Sequence, residues 1–201
     1  MRKQEGRIIA VVGSIGSGKS FLVRGLEGGY RIKAFYEGET GDFPDFLKDN
    51  LANGSNYLQT ELYFLNQNIR HYVRAVSLKR EGHDVVLDTY WMTIGFFLGS
   101  VLTDPNEFRL MTDMIASVSE MLPPPDDIVF LDASDRLLAE RIARRGRSFE
   151  GNVLPIAVDV SREHRKFLFG EERPQDSRLT VIDPESYDLH ELAKGLGLTE
   201  R

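Results

Sequence analysis

One stretch constrains this chain more than any other: a β-branched run, Ile8-Ile9-Ala10-Val11-Val12, leads into Gly13-Ser14-Ile15-Gly16-Ser17-Gly18-Lys19-Ser20-Phe21. The pattern Gly13-x-x-x-x-Gly18-Lys19-Ser20 follows a predicted strand and opens a predicted helix. Glycines let the backbone curl so that successive N–H groups point inward at anionic oxygens. The helix N-terminus adds partial positive charge at the same place. Lys19 then reaches the β- and γ-phosphates of a nucleoside triphosphate, and the Ser20 hydroxyl ligands Mg²⁺. Residues Gly13, Ser14, Ile15, Gly16, Ser17, Gly18, Lys19, Ser20 and Phe21 are therefore the expected cofactor-binding loop, with ATP and Mg²⁺ the expected cofactors. The plain alternative is a strand–helix turn with no ligand, and the full motif in full context stands against it.

The rest of the chain is organised to suit that loop. Further β-rich runs appear at Tyr30–Tyr36, Asp84–Leu87, Asp127–Leu131 and Leu179–Ile182, with helical patterns between them. Such alternation predicts an α/β fold, a five-stranded parallel sheet with helices on both faces. The 201 residues are one domain's worth. Pro123-Pro124-Pro125 separates a helix from a strand and is too short to be a linker. The clearest helix runs from about Tyr57 to Arg80. Leu58, Leu62, Leu65, Ile69, Tyr72 and Val76 step by three and four and form its expected buried stripe. A second stripe, Gln59, Tyr63, Asn66, Arg70, reads either as a solvated face or as a pocket wall aimed at a polar ligand.

Three further elements carry chemistry. Asp84-Val85-Val86-Leu87-Asp88 is a short buried strand ending in an acid. At the C-terminal edge of a parallel sheet Asp88 would lie beside the loop and reach Mg²⁺; otherwise it caps the next helix. Arg141, Arg144, Arg145 and Arg147 put four arginines into seven residues, with Gly146 breaking the helix among them. They are either a solvated helix end or a lid over about residues 144–152, in which Arg144 and Arg147 stabilise the transferring phosphoryl group. An acid after the second strand, Glu37 or Glu39, would serve as general base toward a hydroxyl acceptor, and Glu37 is nearer the strand end.

With these elements in this order, the chain resembles the deoxynucleoside kinase and thymidylate kinase superfamily over most of its length, and the deoxynucleoside kinases more closely. The resemblance implies that Tyr57-Leu58-Gln59-Thr60-Glu61-Leu62-Tyr63-Phe64 is the helix whose glutamine, here Gln59, hydrogen-bonds the nucleobase. Tyr63 and Arg70 share its face. It implies that Phe130-Leu131-Asp132-Ala133-Ser134 and Glu140-Arg141-Ile142 through Glu150 are strand, helix and lid, with Glu150 reading the sugar 3′-hydroxyl. It also makes Glu37 the base. Two positions depart from the family. Asp88-Thr89-Tyr90-Trp91 lacks the usual arginine at 89, which normally steadies the catalytic acid and the acceptor, so Arg70 or a lid arginine would have to compensate. Ile94 falls about where many members place a base-reading acid or polar residue.

Bulk properties then exclude other classes. The net charge of −6 and pI near 5.3 argue against a nucleic-acid-coating surface. No run approaches a membrane span of ~18 apolar residues, and the first apolar run is too short for a signal sequence. The absence of cysteine removes disulfides and thiol catalysis and fits a reducing cytoplasm. The expected reaction is transfer of the ATP γ-phosphoryl group to the 5′-hydroxyl of a (deoxy)nucleoside. A nucleoside monophosphate kinase of thymidylate-kinase type is the first alternative. A nucleotide-binding regulator that has lost catalysis is the second. The expected partner is a small-molecule nucleoside or nucleotide, and related kinases are commonly homodimers.

Overall fold

A computed structural model describes residues 5–38, 43–145 and 153–201. β1 (Ile8–Val12) is wholly buried and sits at the centre of a sheet ordered β2-β3-β1-β4-β5, in which every pairing is parallel. The other strands are β2 (Ile32–Tyr36), β3 (Asp84–Asp88), β4 (Asp127–Leu131) and β5 (Arg178–Ile182). The β2 boundary differs from expectation. Tyr30 makes an isolated antiparallel bridge to Glu200 instead, and the ladder to β3 starts at Ile32.

Successive residues of a strand face opposite sides of a sheet, and this chain fills both sides. Ile8, Ala10, Val12, Val85, Leu87, Ile128 and Phe130 face one layer of helices. That layer holds α3 (Tyr57–Arg80), α4 (Gly95–Val101), α5 (Pro105–Met121) and α7 (Val153–Phe169). Ile9, Val11, Val86, Val129 and Leu131 face α1 (Lys19–Gly29) and α8 (Leu189–Gly195) on the other side. α2 (Asp45–Asn53) packs on α3, and α6 (Asp135–Arg145) packs on α7. The doubly wound architecture expected from the alternation is present. Among the described residues no helix is long and apolar enough to cross a membrane.

α3 has the predicted ends but not the predicted face. Its buried residues are Thr60, Glu61, Leu65, Asn68, Tyr72, Ala75 and Leu78, whereas Leu58, Leu62, Ile69 and Val76 are only partly buried. The inward line is rotated so that two polar residues, Glu61 and Asn68, lie on it. Tyr72 anchors the helix, with its ring near Tyr90 and Trp91 and its hydroxyl donating to the Pro123 carbonyl at 2.8 Å. Glu61 and Asn68 are thereby held toward the C-terminal ends of β2 and β3.

Candidate active site

The phosphate loop follows β1 at the sheet's C-terminal edge. Gly16 (φ 85°) and Gly18 (φ 106°) take left-handed conformations that side chains rarely adopt. A Cβ on Gly18 would also come within 3.0 Å of the Arg141 guanidinium. Gly18 caps α1 with no side-chain hydrogen bond, and the first turn carries no acid, so its N–H groups stay open to an anion. Lys19 Nζ is folded back on the loop, donating to the Gly13 carbonyl at 2.9 Å and the Ser14 carbonyl at 3.2 Å. Ser14 points away from the phosphates and donates to the Ala157 carbonyl at 2.5 Å, tying the loop to α7. Ser17 Oγ is buried and has no hydrogen-bond partner among the described residues. An incoming phosphate oxygen would satisfy it.

Ser20 and Asp88 meet, as the sequence predicted: Ser20 Oγ donates to Asp88 Oδ2 at 2.5 Å. Asp88 Oδ1 is buried with no hydrogen-bond partner among the described residues, and burial pushes the carboxyl up to about 6 despite Lys19 and Ser20. A hydroxyl and an under-satisfied carboxylate beside a phosphate loop suit a hard divalent cation, whose remaining ligands would be triphosphate oxygens and water. Among the described residues no cluster of three or more acids or histidines offers a metal site made of protein alone.

From the loop a cavity of about 810 Å³ extends in two directions. One end is walled by Arg141, Arg144, Arg145, Pro184 and Tyr187. Arg141 is spent on structure there, donating to the Ser17 carbonyl at 2.5 Å and the Pro184 carbonyl at 3.0 Å. Arg144 lines the cavity as expected. Gly146, Arg147 and Glu150, and with them most of the expected lid, lie outside the described residues, as does Glu39.

The other end is walled by Tyr57, Thr60, Glu61, Phe64 and Phe43, with Ile94 and Phe97 opposite and Glu37 at its junction with the loop. Glu37 is oriented on both oxygens. Asn68 Nδ2 donates to Oε1 at 2.7 Å, and Thr89 Oγ1 donates to Oε2 at 3.4 Å. Burial raises the Glu37 pKa above the usual carboxylate range, while Lys19, Asn68 and Thr89 oppose that rise. Thr89 reaches Glu37 with φ 153°, a value seldom taken by a β-branched residue. The position that lacks the family's arginine therefore still contacts the acid, by a hydroxyl. Arg24 also lines this region, its guanidinium carbon 5.5 Å from the Tyr36 ring centre. It lies near enough to Asp88 to lower that acid's pKa.

The structure does not bring Gln59, Tyr63 and Arg70 to this cavity. Gln59 accepts from Asn50 Nδ2 at 3.0 Å, Tyr63 stacks edge-on against Phe46 and Phe64, and Arg70 is exposed. The reason is the rotation of α3, which sends that stripe toward α2 and solvent. Arg70 accordingly supplies no charge in place of the arginine missing at 89. Thr60, Glu61 and Phe64 occupy the wall instead. Sequence reasoning missed Glu61 and Asn68, although two polar residues seven apart astride Leu65 were a usable signal.

Comparisons with known proteins agree with this geometry. The family model for deoxynucleoside kinase matches residues 9–189. A deoxyadenosine kinase of Lactobacillus acidophilus is 29% identical over 151 residues, covering 72% of this chain and 69% of the relative. A putative deoxynucleoside kinase of Frog virus 3 is 30% identical over 164 residues, 80% of each chain. A thymidylate kinase of Akkermansia muciniphila is 28% identical over 152 residues, covering 72% of this chain and 70% of its own. The solved deoxyadenosine kinase of M. mycoides with bound dATP superposes with a TM-score of 0.76 at 17% identity, over 95% of this chain and 99% of that one. A site that pairs a phosphate loop with an acid oriented on both oxygens, and a family match spanning nearly the whole chain, lead to one conclusion: this chain belongs to the deoxynucleoside kinase family.

Proposed function

We propose that the protein transfers the γ-phosphoryl group of ATP to the 5′-hydroxyl of a deoxynucleoside. The observation that carries this reading is Glu37, a half-buried carboxyl held by two donors beside Lys19 and the phosphate loop. A neutral hydroxyl needs a base, and Glu37 has the position for it. Its carboxylate takes the hydroxyl proton as the oxygen attacks the γ-phosphorus, and the bond from that phosphorus to the β,γ-bridging oxygen breaks to release ADP.

Each other residue has a part defined by what it faces. The open N–H groups at the start of α1, Lys19 and Ser20 among them, and the Lys19 ammonium hold the β- and γ-phosphates. Ser20 and Asp88 would hold Mg²⁺, which when bound neutralises charge on the bridged phosphates. Arg144, with Arg147 beyond the described residues, stabilises the equatorial oxygens from the lid side. Thr60, Glu61 and Phe64 wall the end that takes the acceptor's base, and Glu150 remains the candidate for the sugar 3′-hydroxyl. A homodimer is the assembly proposed from the family resemblance.

A monophosphate acceptor fits less well. Glu37 and Asp88 put two acids beside the acceptor, and with Lys19 committed to the donor phosphates Arg24 is the cation left to offset them, a poor setting for an added dianion. The experiment is a screen of the common deoxynucleosides, ribonucleosides and their monophosphates with ATP and Mg²⁺, read by ADP release. Turnover with a deoxynucleoside is the expected result. Turnover with monophosphates alone would replace this reading by the thymidylate-kinase type.

A further inference from the structure

Two carboxyls line the cavity, Glu61 buried and Glu37 half-buried, and their surroundings differ. Glu37 receives Asn68 and Thr89 and has the Lys19 ammonium nearby, all of which favour its charge. Glu61 is 5% exposed, lines the same cavity, and has no hydrogen bond or ion pair among the described residues. The groups beside it on the wall are Thr60, Phe64 and Tyr57. Among the described residues no donor or cation pairs with its carboxyl. When two neighbouring acids have environments this unequal, one ionises and the other keeps its proton. The inventory of donors makes Glu37 the ionised member.

We propose that Glu61 acts as a neutral carboxylic acid that donates one hydrogen bond to the base of the bound deoxynucleoside and accepts one from it. This rests on the deoxynucleoside kinase reading. A protonated carboxyl presents an O–H donor beside a carbonyl acceptor, and the proton can sit on either oxygen. It therefore matches a base edge on which a donor adjoins an acceptor, in either order, whether amino group beside ring nitrogen or ring N–H beside carbonyl. The ionised form offers acceptors only and would lose one of the two bonds, leaving a base acceptor facing a buried charge.

The surrounding charges support the same assignment. Burial, with the charge of Glu37 adding to it, raises Glu61 to about 8. Glu37 and Asp88 face the cavity from the ends of β2 and β3, and Lys19 and Arg24 face it from α1. The end of α2 contributes Leu51, Ala52 and Asn53, and the segment leading into α4 contributes Ile94, none of them charged. The arginines of α6 line the opposite end. The proton is thus present at neutral pH and lost as pH rises through about 8.

The test uses the whole protein and whichever of deoxyadenosine, deoxycytidine, deoxyguanosine and thymidine turns over best. For the wild type, KM should rise about tenfold between pH 7 and pH 9, with kcat moving less, because Glu61 faces the base and not the reacting atoms. Glu61→Gln keeps one donor and one acceptor and cannot ionise. It should abolish the rise whatever its own KM at pH 7, and it thereby separates ionisation of Glu61 from titration of the base itself. Independently, the infrared difference between wild type and Glu61→Gln at pH 7 should contain the carbonyl stretch of a protonated acid. A missing band, or a KM rise that persists in Glu61→Gln, overturns the proposal while leaving the kinase reading intact. Failure of every deoxynucleoside to bind the wild type by calorimetry overturns both, even with the band present.

Discussion

Asn68 Nδ2 lies 2.7 Å from Glu37 Oε1, so a side chain from the middle of α3 aims the carboxyl at the end of β2. The donor favours the ionised form of Glu37 against a burial that disfavours it. Asn68→Ala should therefore raise the Glu37 pKa. A general base works only when ionised, so the acidic limb of kcat/KM should move to higher pH. A hydrogen bond to a charged group is worth roughly 1.5–3 kcal/mol, which corresponds to about one pH unit or more. A pH–rate profile checks this. Equal loss at every pH would show that Asn68 only supports the fold.

Lys19 is the ammonium of the phosphate loop, resting on two backbone carbonyls until a phosphate draws it away. Lys19→Ala should lower turnover by about 10²–10³-fold, the scale of losing one preorganised electrostatic contact. The variant should keep the wild-type fold by circular dichroism, since the Lys19 side chain belongs to none of the hydrophobic clusters. Retention of more than about a tenth of the activity would contradict the assignment of this loop to chemistry.

Asp88 links the cation to stability. Its folded pKa of about 6 lies above the ordinary 3.8, so the stability it contributes is present below about pH 4 and lost as pH rises through about 6. Asp88→Asn removes that loss and should melt higher than wild type at pH 8 without ligand. An increase of about 2–4 °C corresponds to ~1 kcal/mol for a chain of this size. Added ATP with Mg²⁺ should stabilise the wild type more than the variant. Thermal melts with and without the pair, at pH 5 and pH 8, check both signs.

Arg144 lines the loop side of the cavity from the last turn of α6. Arg144→Ala should lower kcat by more than it raises the ATP KM, because its contact tightens as charge develops on the transferring group. The same split is expected for Arg147→Ala. If both variants raise only the ATP KM, the arginines bind the donor and take no part in the transition state.

How far the sequence could be read depended on which force set each feature. The phosphate loop was legible in full because its shape follows from backbone geometry, with Gly16 and Gly18 at positive φ. The central strands β1, β3 and β4 were legible because each carries an apolar run buried on both faces, and α3 was legible in length from Tyr57 to Arg80. Its orientation was not. Of the stripe Leu58, Leu62, Leu65, Ile69, Tyr72 and Val76, the structure buries Leu65 and Tyr72 fully and the others partly, and it turns Glu61 and Asn68 inward beside them. A helix that lines a polar cavity carries polar groups on its inward face, and an apolar pattern steers away from them. That single displacement accounts for the misplacement of Gln59, Tyr63 and Arg70. The arginine missing at 89 was visible in the sequence. Its replacement by paired donors from Asn68 and Thr89 was not, because they come from elements far apart along the chain.

The claim that Glu37 removes the proton of a neutral acceptor is tested most directly by Glu37→Gln, with turnover measured on a deoxynucleoside and on its monophosphate. Glutamine keeps the shape and the partners of the side chain but cannot take a proton. The account predicts that turnover of the deoxynucleoside falls about 10²-fold or more, while Glu39→Gln stays near wild type. Near-full activity of Glu37→Gln, with the monophosphate as the better acceptor, would contradict it.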